Sequence, residues 1–277
     1  MNLTDDIRRI ARELLESGQV TRVIGYEEGK RGVVRPLVAR TPEETDRLVF
    51  DQRCVHNLAL YLLDFKPQDD SPMPAVAVVM KPCDARALNV LSLEHQVDRA
   101  QVYVIGVPCG GMDKAACATC PDRVPPTYDV LVGESPSEGP ATPTDDLLAQ
   151  LEGMAPAERR AFWAEQFNRC IRCYACRQVC PMCYCDLCIA EKLDPSWESI
   201  AIASPENEFY HVLRAYHLIG RCIQCGECER VCPMDIPVFS YNRFLAEEVA
   251  RTFDGFRAGM DNETLAPFMT FQKEELE

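Results

Sequence analysis

Residues 170–188, CIRCYACRQVCPMCYCDLC, carry seven of the chain's sixteen cysteines in nineteen positions. Such density means either a disulfide framework or thiolate ligands to metal. Disulfide-rich chains are mostly small secreted domains that lack a sufficient core. This chain has 277 residues, 47% hydrophobic and 26% charged, enough for an ordinary core in one or two domains. Its start, MNLTDDIRRIARELLESG, is charged and amphipathic, without the apolar h-region or small-residue cleavage site of a secretory leader. The thiols are therefore expected reduced, in the cytoplasm.

The spacing within the stretch is Cys170-x2-Cys173-x2-Cys176-x3-Cys180-Pro181, and it returns as Cys222-x2-Cys225-x2-Cys228-x3-Cys232-Pro233. This run, occurring twice, is the pattern of two-cluster bacterial ferredoxins, in which the fourth cysteine of each run ligates the other cluster. One 4Fe-4S cluster then takes Cys170, Cys173, Cys176 and Cys232, and the other takes Cys222, Cys225, Cys228 and Cys180. A short CxxCxxC loop brings three thiolates to three corners of a cubane, and the fourth corner needs a distant residue. The proline after each fourth cysteine ends the local turn. A pair of zinc sites, which favour CxxC pairs in tetrahedral fours, is the alternative. Between the runs, NEFYHVLRAYHLIG (207–220) has Phe209, Val212, Leu213, Tyr216 and Leu218–Ile219 at about helical spacing. His211 and His217 on that helix are expected to be ordinary surface or core histidines.

Eight cysteines remain. AVAVVM (75–80) and VYVIGV (102–107) are short apolar runs that read as buried strands, and Cys83 and Cys109 follow them. Between them ARALNVLSLEHQ reads as a helix with Asp84 as its N-cap. Strand, helix, strand implies parallel pairing. Adjacent parallel strands lie about 4.8 Å apart, which would put Cys83 and Cys109 side by side at the carboxyl edge, where open α/β sheets place ligands. Cys117 and Cys120 follow Cys109 closely, so these four are expected to bind a third cluster, with a zinc clamp or plain buried thiols as alternatives. Cys183, Cys185 and Cys188 are too many for the ferredoxin sets. They are left for a fourth cluster, for zinc or for packing, with Cys54 as fourth ligand by subtraction alone. Lys81, Arg86 and Arg99 surround the strand-end site and read as exposed helix charge, with offsetting cluster charge or holding a substrate anion as the alternative.

Other stretches organise the chain. GYEEGKRG (25–32) has no nucleotide-binding spacing. VLVGESPSEGPATPTDD (130–146) reads as a linker before a helix from about 145 to 168. The expected architecture is an α/β domain with a mostly parallel sheet (1–145), an α-helical two-cluster ferredoxin-like domain (146–240), and a C-terminal helix, SYNRFLAEEVARTF, with a solvated acidic tail (241–277). A net charge of −14 argues against a phosphate-backbone partner, and no apolar run reaches the roughly 20 residues of a membrane-spanning helix.

VVMKPCDARAL with VIGVPCGGMDKAACATCP, followed by RCIRCYACRQVCPMCYCDLC and GRCIQCGECERVCP, resembles proteins grouped with the coenzyme F-420 hydrogenase/dehydrogenase beta subunits. These include iron-sulfur beta subunits of formate dehydrogenases. The resemblance implies a subunit that relays electrons between a partner's redox centre and a carrier, in a hetero-oligomer of hydrogenase, formate dehydrogenase or heterodisulfide reductase type. Well-known members bind FAD and reduce the deazaflavin coenzyme. Here the dicluster region is C-terminal and no separate large flavin domain follows it, so a short, all-cluster variant is expected, with FAD doubtful. On this reading catalysis occurs elsewhere. The rival readings are a flavin or substrate pocket framed by the strand-end cysteines and a zinc-stabilised interaction module.

Overall fold

The computed structural model describes residues 2–65, 73–136, 146–192 and 194–269. They form two units, Met1–Pro143 with Ala258–Leu265 and Thr144–Arg257 with Ala266–Glu277. No described helix is long and apolar enough to cross a membrane.

The first unit is built on five strands, β1 (Arg22–Glu28), β2 (Val34–Ala39), β3 (Val76–Met80), β4 (Val102–Gly106) and β5 (Val130–Leu131), in the order β2-β1-β3-β4-β5. The two apolar runs lie next to each other in this sheet: β3 and β4 pair in parallel from Val76↔Val102 to Met80↔Gly106. Every β3 residue is buried, as befits a parallel strand covered on both faces. β1 and β5 extend the parallel sheet, and β2 alone runs antiparallel. GYEEGKRG is therefore a hairpin, with Gly25–Glu28 in β1 and positive φ at Arg31 and Gly32 in its turn. Val130 and Leu131 belong to a sheet edge rather than a linker, and 137–145 of that stretch lie outside the described residues.

Two helices complete this unit. In α1 (Leu3–Glu16) the buried Ile7, Ala11 and Leu14 share one face, and the Asn2 side chain accepts the Thr4 N–H at 3.3 Å. The second helix, α2 (Pro82–Leu93), starts at its proline, which suits a first-turn position because no N–H is needed there. Asp84 is not the N-cap. It sits one turn in, and its carboxylate accepts the backbone N–H of Lys81 at 2.8 Å and of Leu58 at 2.9 Å. Lys81 and Arg86 also depart from expectation: they are 1% and 2% exposed. Arg86 pairs with Asp122 at 2.7 Å and donates to the Ala258 carbonyl at 2.9 Å. The adjacent Gly259 has φ 74°, and a Cβ there would stand 2.1 Å from the Arg86 carbonyl oxygen, so only glycine lets this returning segment lie on α2. Arg99 is half-buried and pairs with Asp129 at 3.1 Å.

The described residues of the second unit hold six helices and no strand: α3 (Asp146–Gly153), α4 (Pro156–Asn168), α5 (Ala175–Gln178), α6 (Ser204–Leu218), α7 (Glu227–Arg230) and α8 (Val238–Thr252). The single helix expected from about 145 to 168 is two, because Pro156 lacks the N–H that would carry α3 onward and instead opens α4. An aromatic cluster joins α4, α6 and α8: Phe167 stacks on His211 with centroids 4.4 Å apart, and Trp163 meets Tyr241 edge-on at 4.7 Å. The acidic tail from residue 270 onward lies outside the described residues.

The buried face of α6 is not the apolar one. Phe209 and Tyr216 are 49% and 69% exposed, while Asn207, Tyr210, His211, Arg214, Ala215 and Leu218 are buried. The cause lies in the cysteine loops this helix packs on. Their carbonyls need donors, which Asn207 supplies to Cys170 O at 2.8 Å and Arg214 to Cys176 O at 3.0 Å.

Candidate metal centres

The two cysteine runs fold as copies of one loop. In each, the residue before the second cysteine and the residue after it take positive φ: Arg172 and Tyr174 in the first, Gln224 and Gly226 in the second. A short helix then follows, α5 or α7. Left-handed residues are costly outside glycine, so their recurrence at matching positions marks a backbone constraint shared by both loops. Such conformations turn successive N–H groups to one side. Arg172 N–H points at Cys170 Sγ at 3.4 Å, and past the second loop Ile236 N–H points at Cys232 Sγ at 3.4 Å.

Across the loops the thiols interleave. Cys170 has Cys173, Cys176 and, from the other run, Cys232 as its electrostatic neighbours. Cys180, from the first run, lines one small cavity together with Cys222, Cys225 and Cys228. Burial pushes the Cys170 and Cys228 thiols up, so metal binding there must displace protons. Cys180 is held up as hydrogen-bond donor to Cys183, which is held down as acceptor. Polar groups aim at the sulfurs: Asn242 Nδ2 lies 3.7 Å from Cys228 Sγ, and Tyr210 Oη lies 3.6 Å from Cys176 Sγ. Arg214, only 6% exposed, is an electrostatic neighbour of Cys176, Cys180, Cys183 and Cys228.

Among the described residues no three His, Cys, Asp or Glu side chains close on one metal ion. His211 stacks on Phe167 within the aromatic cluster, and burial, with Arg214 and Arg172 nearby, drives its imidazole down to about 3, so it stays neutral.

In the first unit, Cys109 follows β4, buried, with Cys117 and Cys120 as electrostatic neighbours. The loop carrying them is fastened by Cys109 N–H to the Arg123 carbonyl at 2.8 Å and by the Arg86–Asp122 pair. Cys83 opens α2, and its neighbour is the Lys81 ammonium, which also faces Cys109 and Cys54. Burial pulls Lys81 down, but Asp84 and Cys83 outweigh it and hold the ammonium charged. Its Nζ pairs with Asp84 at 2.8 Å and donates to the Tyr26 hydroxyl and to the His56 carbonyl at 2.9 Å.

The other four cysteines part company. Cys54 belongs to the first unit, fully buried, accepting the Asp51 N–H at 3.4 Å, and burial raises its thiol to about 11. Cys183, Cys185 and Cys188 belong to the second unit and line one cavity with Arg177, Arg214, His217 and Arg221. Sequence reading singled out none of Asn207, Tyr210, Arg214 or Asn242. The available signal was that Asn207, Tyr210, Arg214 and Leu218 recur every three or four residues on α6, a stripe hidden by the stronger apolar one.

Comparison with known proteins agrees with this geometry. Residues 166–236 match the 4Fe-4S dicluster domain family. Over 111 residues, 40% of the chain, it is 35% identical to the F420-dependent formate dehydrogenase subunit beta of Methanocaldococcus jannaschii. Over 101 residues, 36% of the chain, it is 37% identical to the F420-dependent formate dehydrogenase 1 subunit beta of Methanococcus maripaludis. The matched stretches span 28% and 25% of those relatives' lengths. The chain therefore carries a 4Fe-4S dicluster region at 166–236 and is similar over part of its length to part of these subunits.

Proposed function

We propose that the chain is an electron-transfer subunit of an anaerobic oxidoreductase complex of formate dehydrogenase, hydrogenase or heterodisulfide reductase type, and that the dicluster region of 166–236 is a two-cluster ferredoxin module. One 4Fe-4S cluster is held by Cys170, Cys173, Cys176 and Cys232, the other by Cys222, Cys225, Cys228 and Cys180. The observation that carries this reading is the exchange of the fourth thiol: Cys180 lines the cavity of the second run, and Cys232 neighbours the first. Two independent zinc sites would have no use for that exchange.

Such clusters accept and release single electrons. The chain's own contribution is to ligate them, keep water away and set their potential. Arg214 places a buried cation against both thiol sets, which favours the reduced, more negative state. Asn242 and the loop N–H groups donate to the sulfurs and act in the same direction. We extend the reading to the strand-end thiols Cys83, Cys109, Cys117 and Cys120 as a further cluster site, supported by Cys117 and Cys120 beside Cys109 and by Lys81 facing both Cys83 and Cys109 at the carboxyl edge of β3 and β4.

The test is anaerobic purification with iron and sulfide quantitation and EPR after reduction. Roughly eight irons per chain with two interacting signals support the two-cluster module, and about twelve support the strand-end site as well. A colourless preparation containing zinc and no sulfide would sink the proposal. Reduction by formate dehydrogenase or hydrogenase catalytic subunits, followed by reoxidation with a low-potential dye, tests the relay itself.

A further inference from the structure

The cavity of the second unit lined by Cys183, Cys185 and Cys188 belongs to neither ferredoxin thiol set. It encloses about 90 Å³, several times the volume one water needs by that measure. Its wall carries three guanidiniums, Arg177, Arg214 and Arg221, amid apolar Met182, Ile189, Ala190 and Leu213. Guanidinium groups do not lose their charge in proteins; Arg177 is matched by Glu191, and Arg214 faces thiols of both ferredoxin runs. Both are still short of acceptors. Arg177 and Arg214 are 9% and 6% exposed, and the Nε of each is buried with no hydrogen-bond partner. Buried donors of that kind are rarely left unmet.

We infer that this cavity is a further iron-sulfur site, with Cys183, Cys185 and Cys188 as thiolate ligands and His217 as the fourth. The sulfurs of an anionic cluster there supply acceptors for the two unpartnered Nε–H groups. His217 is assigned by the chemistry of the wall. Of the other potential ligands on it, Glu198 pairs with Arg172 and Tyr210 is engaged with Cys176, which leaves the imidazole. As with the ferredoxin thiols, these three do not close on a single ion. The site differs from the set reached by subtraction in the sequence, since Cys54 lies in the other unit beside Lys81. Three cysteines and one histidine give a less negative ligand set than four thiolates, so the centre is expected at higher potential than its neighbours and suited to sit at one end of the relay.

The inference rests on the two-cluster reading, and its experiment separates the two. The full chain is reconstituted anaerobically as the unmodified protein, as C185S/C188S and as C222S/C225S. Loss of about four irons and four sulfides in each double variant is the expected result. Full iron in C185S/C188S with loss in C222S/C225S would overturn this site and leave the two-cluster reading intact. No iron in the unmodified chain would overturn both. A variant-free check is alkylation of the holo chain followed by mass spectrometry. Cys185 is exposed, so an unligated thiol there reacts quickly. Protection of Cys185 and Cys188 until iron is chelated supports the site, whereas alkylation of both while Cys222 and Cys225 stay protected overturns it. For the fourth ligand, H217A should shift the EPR signal and midpoint of one centre alone, and H217C should restore full iron content. An H217A spectrum and midpoint identical to the unmodified chain would remove His217 from the ligand set.

Discussion

The two units assemble their thiols by opposite means. In the second unit Cys170, Cys173 and Cys176 are gathered by one short loop, as are Cys222, Cys225 and Cys228, and tertiary contact is needed only to exchange Cys180 and Cys232. In the first unit no loop gathers Cys83 and Cys109. They reach one edge of the sheet because β3 and β4 run parallel in register and end together, and each faces the buried Lys81 ammonium. A site written into covalent spacing survives much change in its surroundings, whereas one written into sheet register depends on everything that holds the sheet edge.

The sharpest test of that contrast is Cys225→Ser. It should remove about four irons and interrupt electron transfer to a dye while the far-UV signature of the α/β unit persists. Unchanged iron and turnover would break the comparison at its stronger end. Next in size is Lys81→Met, which leaves Asp84 buried without its partner. Loss of one member of a buried pair costs about 3–5 kcal/mol, read as an earlier urea transition of the first unit with the cluster absorbance of the second retained. Adding Asp84→Asn should recover part of that loss, and a silent Lys81→Met would show the strand edge to be as tolerant as a loop.

A smaller effect is expected from Cys54. Its thiol sits at about 11 in the fold against 9.0 in the open chain. Raised in the folded state, it contributes stability that is complete below pH 9 and is lost as pH climbs through 11, because the unfolded chain gives up its proton first. The loss amounts to about 2–3 kcal/mol at roughly 1.4 kcal/mol per pH unit. Denaturation of the reduced chain between pH 8 and 11 measures it, and Cys54→Ala should flatten the slope. The smallest effect is Arg214→Gln. Removing one cation several ångströms from both thiol sets should lower their midpoints by tens of millivolts, on the order expected at an effective dielectric constant of about 20. Potentiometric EPR reads the shift, and unmoved midpoints would show that Arg214 serves packing alone.

How much of this was legible in the sequence follows the same division. The paired runs, the apolar strands at 75–80 and 102–107 and their parallel pairing are carried by local pattern and were read directly. The β1–β2 hairpin escaped because GYEEGKRG was weighed only as a phosphate loop, although its turn residues Gly29 and Gly32 flank two strand-like runs. The helical spacing of 207–220 was read, but not which face is buried, because apolar periodicity assumes that a helix buries carbon. This helix buries Asn207 and Arg214, the donors that cysteine-loop carbonyls require. Lys81 and Arg86 were placed at the surface by the usual habit of charged residues, and their partners Asp84 and Asp122 explain why that habit fails here.

By itself the sequence determined that eight thiols recur in two matching loops, because the number of bonds between cysteines limits how their sulfurs can converge. Only the tertiary structure decided that Cys54 parts from Cys183, Cys185 and Cys188, and that three arginines surround the cavity those last three line. Those outcomes depend on burial and charge between residues far apart in the chain, which no local spacing encodes.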